Sequence, residues 1–255
     1  MCLLVIAYKH HSKYPLVVLA NRDEYYDRPT APAHFWKEAP ELLAGKDLRG
    51  GGTWLGITTS GKIAAITNFR DPKSIKPNAP SRGLLVRDFL IGSQNPLQYL
   101  LSLKETASGY NGFNLVVGDM EEIYWYSNKA PGIIRLTKGI YGLSNHLLDT
   151  PWPKVVKAKQ RLAELLMSCE LPPDEAFFNL LMDRTQADES ELPDTGVGLE
   201  LEKILSPIFI RSPVYGTRSS TLILVDNQGV VRFVERTYNP KAPFSATKAF
   251  KFCLN

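Results

Sequence analysis

Cys2-Leu3-Leu4-Val5-Ile6-Ala7-Tyr8 is followed, after a polar turn over residues 9–14, by Leu16-Val17-Val18-Leu19-Ala20 and then without a break by Asn21-Arg22-Asp23-Glu24. Two apolar runs of strand length on either side of a polar turn read as a β-hairpin. Neither run alternates, so both faces of each strand are expected to be covered. The four polar residues that follow, three of them charged, read as the point where the second strand leaves the core.

Working outward, residues 53–58 and 63–68 predict a second hairpin around Ser60-Gly61. Ser81 is expected to cap a helix through Leu84, Leu85, Val86, Phe89 and Leu90, and residues 96–103 a second short one. Strands are predicted over 113–118, 122–127, 133–137 and 140–143. Pro153 opens the clearest helix, with Val155, Val156, Lys159, Leu162, Ala163, Leu165 and Leu166 on a buried stripe, and 174–182 is another. Residues 185–193 are polar and read as a surface loop, and 221–225 with 230–235 close the pattern as a hairpin around Asn227-Gln228-Gly229. Antiparallel hairpins separated by blocks of helix imply an α+β fold with two sheet layers flanked by helices, not a doubly wound parallel sheet. Without repeats, low-complexity tracts or a linker, residues 1–255 are expected to form a single domain.

Composition excludes more than it identifies. The chain has 255 residues, 44% hydrophobic and 22% charged, with a formal net charge of +4. That surplus is dispersed and not interleaved with aromatics, so nucleic acid is not an expected partner. Cys2, Cys169 and Cys253 form no CxxC pair, which points to a reducing, cytoplasmic setting and against a disulfide framework or zinc site. The apolar N-terminal run is too short to be a membrane span, and no integral membrane segment is expected elsewhere. His10, His11, His34 and His146 make no metal-ligand spacing, and no metal is expected. Gly50-Gly51-Gly52-Thr53-Trp54-Leu55-Gly56 matches neither dinucleotide nor phosphate loop and reads as a turn allowing close backbone approach.

Chemistry centres on Cys2. A small second residue generally permits cleavage of Met1, which would leave Cys2 with a thiol and a free α-amine on one carbon skeleton. The amine titrates at about 7.7–8.0 and the thiol near about 8.5, so the amine can act as the thiol's base. The alternative is a small buried hydrophobe at the start of a strand. The charged tetrad shifts the balance, because hairpin pairing can bring it beside Cys2, where an arginine favours thiolate and a carboxylate orients the ammonium. Adjacent strand residues face opposite ways, so Arg22 and Asp23 share a face only if the strand has ended or bulges. Glu24, on the face of Arg22, is the alternative partner.

Met1-Cys2, Asn21-Arg22-Asp23-Glu24, Gly51-Gly52-Thr53-Trp54-Leu55-Gly56, Thr67-Asn68-Phe69-Arg70, Ser81-Arg82-Gly83, Gly142-Leu143-Ser144-Asn145 and Tyr215-Gly216-Thr217-Arg218-Ser219-Ser220-Thr221 together resemble the NRDE family. That family is also called the transport and Golgi organisation protein 2 family, and the resemblance runs in order from residue 1 to about 240. More distantly, the chain is similar to choloylglycine hydrolases and penicillin V acylases, which are Ntn hydrolases. The resemblance implies a four-layer α/β/β/α Ntn-hydrolase-like sandwich of mainly antiparallel sheets, with the first strand inside a sheet. It implies Cys2 as nucleophile and base, Asp23 as orienter of the amine, and Asn145 as oxyanion donor with Asn68 as a second one. Asn21, Arg22, Glu24 and Arg218 would complete the binding site.

Two functions follow as expectations. One is an amidohydrolase or thioesterase acting on an acyl amide or thioester through Cys2, with no cofactor required. The other is a carrier on the same fold, for haem as bound cargo or for acyl-CoA, since the resemblance links the family to haem trafficking and lipid handling. Arg22, Arg28, Arg70, Arg82 and Arg218 suit a phosphate-bearing ligand if the fold gathers them.

Overall fold

The computed structural model describes residues 2–239 and 246–255, with only the backbone of Cys2. The opening hairpin forms as β1 (Cys2–Tyr8) and β2 (Leu16–Tyr25), with Leu4 opposite Ala20 and Ile6 opposite Val18. It sits inside a six-stranded sheet. β1 also pairs with β10 (Gly139–Leu143), and β2 pairs with β11 (Tyr215–Val225), followed outward by β12 (Val230–Thr237) and β13 (Ala246–Cys253).

Continuous hydrophobicity here means two different cores. Leu4, Ile6 and Tyr8 join Val18, Ile223 and Phe233 against the other sheet. Leu3, Val5 and Ala7 join Val17, Leu19 and Leu222 against helices. A fully buried Leu, Val or Ile contributes about 1.5–3 kcal/mol relative to exposure, so side-chain burial on both faces, not the polar turn, holds the hairpin.

The second sheet is a seven-stranded meander in chain order: β3 (Thr30–Trp36), β4 (Ala39–Asp47), β5 (Leu55–Thr58), β6 (Ile63–Asn68), β7 (Phe113–Gly118), β8 (Ile123–Ser127) and β9 (Ile133–Arg135). All described pairings in both sheets are antiparallel. Helices α1 (Gly83–Ile91) and α2 (Pro96–Thr106) cover its outer face through Leu85, Phe89 and Leu100. Helices α3 (Pro153–Leu165) and α4 (Asp174–Leu181) cover the first sheet through Val155, Leu162, Phe177 and Phe178. The short α5 (Leu199–Leu205) lies before β11. The layers are therefore α/β/β/α, and the fold is the expected α+β sandwich.

Three differences bear on the site. β2 does not end at Ala20 but runs through the whole charged tetrad to Tyr25, because β11 pairs with it there. β3 and β4 were not expected: Pro32 and His34 interrupt the apolar pattern, which an edge strand with a bulge tolerates. The first position before α1 is Arg82 rather than Ser81, and no side chain caps it. No helix among the described residues is long and apolar enough to cross a membrane.

Candidate functional site

Where β2 leaves the two cores, alternation sorts its polar residues. Arg22, on the inter-sheet face with Ala20, is buried, and its guanidinium lies 4.3 Å from the centre of the Trp54 ring. It donates to Thr30 Oγ1 at 3.1 Å and lies 3.5 Å from Asp47 Oδ2. Asn21 faces the helix layer, donating at 2.8 Å to the carbonyls of both Leu181 and Ile208 and accepting from Ser220 Oγ at 2.6 Å. Its amide is thus spent on tying α4 and the 205–210 segment to the sheet.

Asp23 is fully buried, and Thr217 Oγ1 donates to its Oδ1 at 2.7 Å. Burial pushes its pKa up to about 6, against the opposing pull of Lys154 and Arg22. Arg22 and Asp23 therefore do point to different faces. Glu24 is half-buried, accepts from the Tyr25 N–H at 2.9 Å and lies 3.8 Å from Arg28. The backbone register puts Cys2 directly opposite Arg22. Met1, whose removal the sequence predicts, lies outside the described residues.

A bulge in β11 decides the fate of Arg218. Thr217 opposes Asp23 and Ser219 opposes Arg22, so Arg218 is the extra residue. Its guanidinium donates to the carbonyls of Tyr25 at 2.8 Å and Arg28 at 3.1 Å, which fixes the turn after β2.

A cavity of about 510 Å³ opens at this end of the sandwich, between β2, the turn after β4, the end of β6 and the start of α1. Arg22, Asp23, Glu24 and Asn68 line it together with Arg28, Asp47, Arg49, Trp54 and Arg82. Asn21, Asn145 and Arg218 are not among the lining residues. Asn145 stands directly behind: its Nδ2 donates to the Asn68 carbonyl at 3.0 Å and its own carbonyl accepts from the Arg70 N–H at 2.7 Å. Among the described lining residues, four arginines stand against three carboxylates.

Asp47, not singled out in the sequence, organises this wall. It accepts from Arg28 Nε at 2.7 Å and from the N–H groups of Arg49 at 3.0 Å and Gly50 at 2.8 Å. Burial acts to raise its pKa, but these bonds and the arginines outweigh it and hold the carboxyl below its usual range. The signal was an Asp shortly before three glycines, an Asx-turn pattern. The glycines have a clear purpose: a Cβ on Gly52 would lie 2.3 Å from the Gly83 carbonyl group. The turn can therefore close on Gly83, with Thr53 N–H donating to Gly83 O at 3.1 Å, and bring Arg82 to the cavity.

Glu235, also missed, is buried between the sheets and accepts from the Ala33 N–H at 2.6 Å. Burial raises its pKa from 4.5 to about 7. The folded protein thus keeps a proton that the unfolded chain releases earlier. The stability this gives is fully present below about pH 4.5 and is lost as pH rises through about 7. A shift of this size is worth about 3 kcal/mol. Urea denaturation at pH 5 and pH 8 should show Glu235→Gln less pH-dependent than the parent and the more stable of the two at pH 8. Equal slopes in both proteins would contradict this assignment.

Comparison with known proteins places the chain among relatives by sequence. The chain is 39% identical over 240 residues to a transport and Golgi organization 2 homolog of Mus musculus, covering 88% of this chain and 87% of that protein. It is 39% identical over 258 residues to the Homo sapiens homolog, covering 94% and 93%, and 28% identical over 250 residues to the Drosophila melanogaster protein, covering 88% and 86%. Among solved structures, a Caenorhabditis elegans N-acylethanolamine-hydrolyzing acid amidase ortholog overlaps at a TM-score of 0.48 with 11% identity, covering 88% of this chain and 92% of that one. A mutant conjugated bile acid hydrolase from Clostridium perfringens overlaps at 0.49 with 8% identity, covering 100% and 97%. These overlaps are too distant to carry an activity across. The family model described as Transport and Golgi organisation 2 matches residues 1–240, which include every residue of the cavity wall, and the chain belongs to that family.

Proposed function

We propose that this protein is an Ntn-type cytosolic hydrolase that cleaves acyl amides or thioesters carrying an anionic group, with Cys2 as nucleophile after loss of Met1. The observation that carries this reading is the register of Cys2 opposite Arg22, whose guanidinium lines the arginine-rich cavity. The Cys2 sulfur attacks the acyl carbon, and the α-amine takes the thiol proton. The tetrahedral oxyanion is held by the Asn68 amide, with Asn145 holding Asn68 in place. The carbon–nitrogen or carbon–sulfur bond then breaks, the leaving group takes the proton, and water hydrolyses the acyl-enzyme to free acid and thiol. Arg22, Arg28 and Arg82 hold the anionic end of the substrate.

A second reading, a carrier without turnover, is favoured by the same wall: arginines from separate segments can hold haem propionates or acyl-CoA phosphates without any nucleophile. Intact mass of the protein from its native host, with a panel of acyl amides and thioesters, separates the two. Loss of Met1 with turnover supports the hydrolase, and retention of Met1 without turnover sinks it. In either case Arg22→Ala should weaken ligand binding, because one lost charge-assisted contact costs about 1.5–3 kcal/mol, roughly tenfold to a hundredfold in affinity. Unchanged affinity in Arg22→Ala would remove the cavity from both readings.

A further inference from the structure

Exposed apolar side chains collect around the mouth of the cavity. Among the described residues the five most exposed large ones are Met167, Ile75 at 67%, Val214 at 65%, and Tyr25 and Leu48 at 56% each. All but Met167 border the cavity. Tyr25 follows Glu24 of the wall, and its ring meets that of Tyr215 edge-on at 5.3 Å. Val214 is joined to the same turn, its carbonyl accepting from the Tyr26 N–H at 2.9 Å. Leu48 lies between Asp47 and Arg49 of the wall, and its N–H donates to the Pro29 carbonyl at 3.1 Å. Ile75 leads into the Pro77 wall beside Lys76, whose N–H donates at 2.7 Å to Asn111 Oδ1 in the lining. A single exposed apolar side chain is ordinary, but four from separate segments around one opening form a patch.

Basic side chains stand among them. Arg49, Lys73, Lys76 and Arg211 are all exposed, and Arg211 is bridged to Gly216, which pairs with Glu24 of the wall. The exposed carboxylates nearby are Asp27, in the turn after β2, and Asp194, two residues from the Gly196 against which Lys73 lies. Glu24 and Asp71 are taken up by Arg28 and Lys129. We propose that the mouth of the cavity docks on an anionic lipid bilayer, with Tyr25, Leu48, Ile75 and Val214 entering its interfacial layer and the basic residues meeting the head groups. Lysine is depleted from protein–protein interfaces, whereas long basic side chains around inserted apolar ones suit a head-group layer. The basic surplus at the rim selects an anionic surface over a neutral one. Docked this way, the cavity opens toward the bilayer, and an amphipathic ligand can enter it without crossing water. The inference needs neither turnover nor a particular ligand.

Flotation of the whole chain with vesicles of phosphatidylcholine, alone or mixed with phosphatidylserine, tests this. The parent should float with the mixed vesicles, weakly with the neutral ones, and less as salt is raised. The triple variant Leu48→Ser, Ile75→Ser, Val214→Ser changes only exposed side chains and should bind at least about tenfold more weakly. The three single variants repeat the test should the triple one fail to fold. Lys73→Glu with Arg211→Glu should weaken binding to the mixed vesicles by at least about tenfold and leave the neutral ones little changed. Met167→Ser is the control and should bind as the parent does. Its neighbour Ser168 holds the β1–β2 turn at the other end of the hairpin, where His11 Nε2 lies 2.9 Å from the Ser168 carbonyl. A parent that does not bind the mixed vesicles overturns the proposal. So does equal loss in Met167→Ser, or no loss in the serine variants or in the charge-reversed one. A dimer that the triple variant disperses, in a protein that binds no vesicles, gives the patch to a second copy of the chain and also overturns it. Docking without turnover leaves the proposal standing and bears only on the hydrolase.

Discussion

Cys2→Ala should reduce turnover of the best acyl amide or thioester by about a thousandfold or more, because removing a nucleophile takes away the covalent path altogether. Cys2→Ser keeps the shape with a poorer nucleophile, and its loss should be heavy but smaller. Both variants should fold like the parent. β1 is held by its register with β2 and β10 from Leu4 to Tyr8, and by the burial of Leu3, Leu4, Val5 and Ile6, none of which depends on position 2. Ligand affinity should change little in Cys2→Ala, since the arginines proposed to hold the anion, Arg22, Arg28 and Arg82, are untouched. Single-turnover kinetics with binding measured in parallel reads both quantities. Turnover that survives Cys2→Ala discards the nucleophile, and tight Arg22-dependent binding without turnover in any variant selects the carrier.

Glu202→Ala should cost about 3–5 kcal/mol of stability, the largest effect expected outside the cavity. Glu202 and Arg70 form an ion pair whose side chains are 3% and 5% exposed, with the guanidinium 4.9 Å from the Trp152 ring centre. Removing the carboxylate leaves a buried guanidinium without its counter-charge, which costs more than an exposed pair of any geometry. It also removes the acceptor for the Thr195 N–H at 3.0 Å and hydroxyl at 2.5 Å. Glu202→Gln, which keeps an acceptor and loses the charge, should fall between the two. The consequence should reach the site, because the Arg70 N–H holds the Asn145 carbonyl and Asn145 holds Asn68. Urea denaturation measures the stability, and a loss below about 1 kcal/mol would show that this pair does not anchor α5.

Much of the fold was legible because the strongest signals were apolar runs of strand length. β7 matches its expected bounds, and α3 begins at Pro153 as expected for a proline in the first turn, although Val156 of the expected stripe is exposed and Lys154 and Ala158 are buried with Val155 and Leu162. β3 and β13 were not legible. Both are edge strands with few buried positions, and Phe35, Phe250 and Phe252 find one another only when the two sheets stack. The site was legible as a set of motifs but not as an arrangement. Arg22, Asp23, Glu24 and Asn68 do meet at one cavity, whereas Asn21, Arg218 and Asn145 hold its walls in place from outside.

The sequence by itself determined the two-faced hairpin, the alternation that turns Arg22 away from Asp23, and the glycines on which a close turn depends. Only the tertiary structure decided which polar groups share a space. β11 carries β2 past its apolar run, and its bulge at Arg218 sends that guanidinium to the backbone of residues 25 and 28. The stacking of a second sheet brings Trp54 and Asp47 against Arg22, and the packing of α3 buries Lys154 against the Leu205 carbonyl. Each of these is a contact between segments far apart in the chain, fixed by how sheets and helices pack rather than by local pattern.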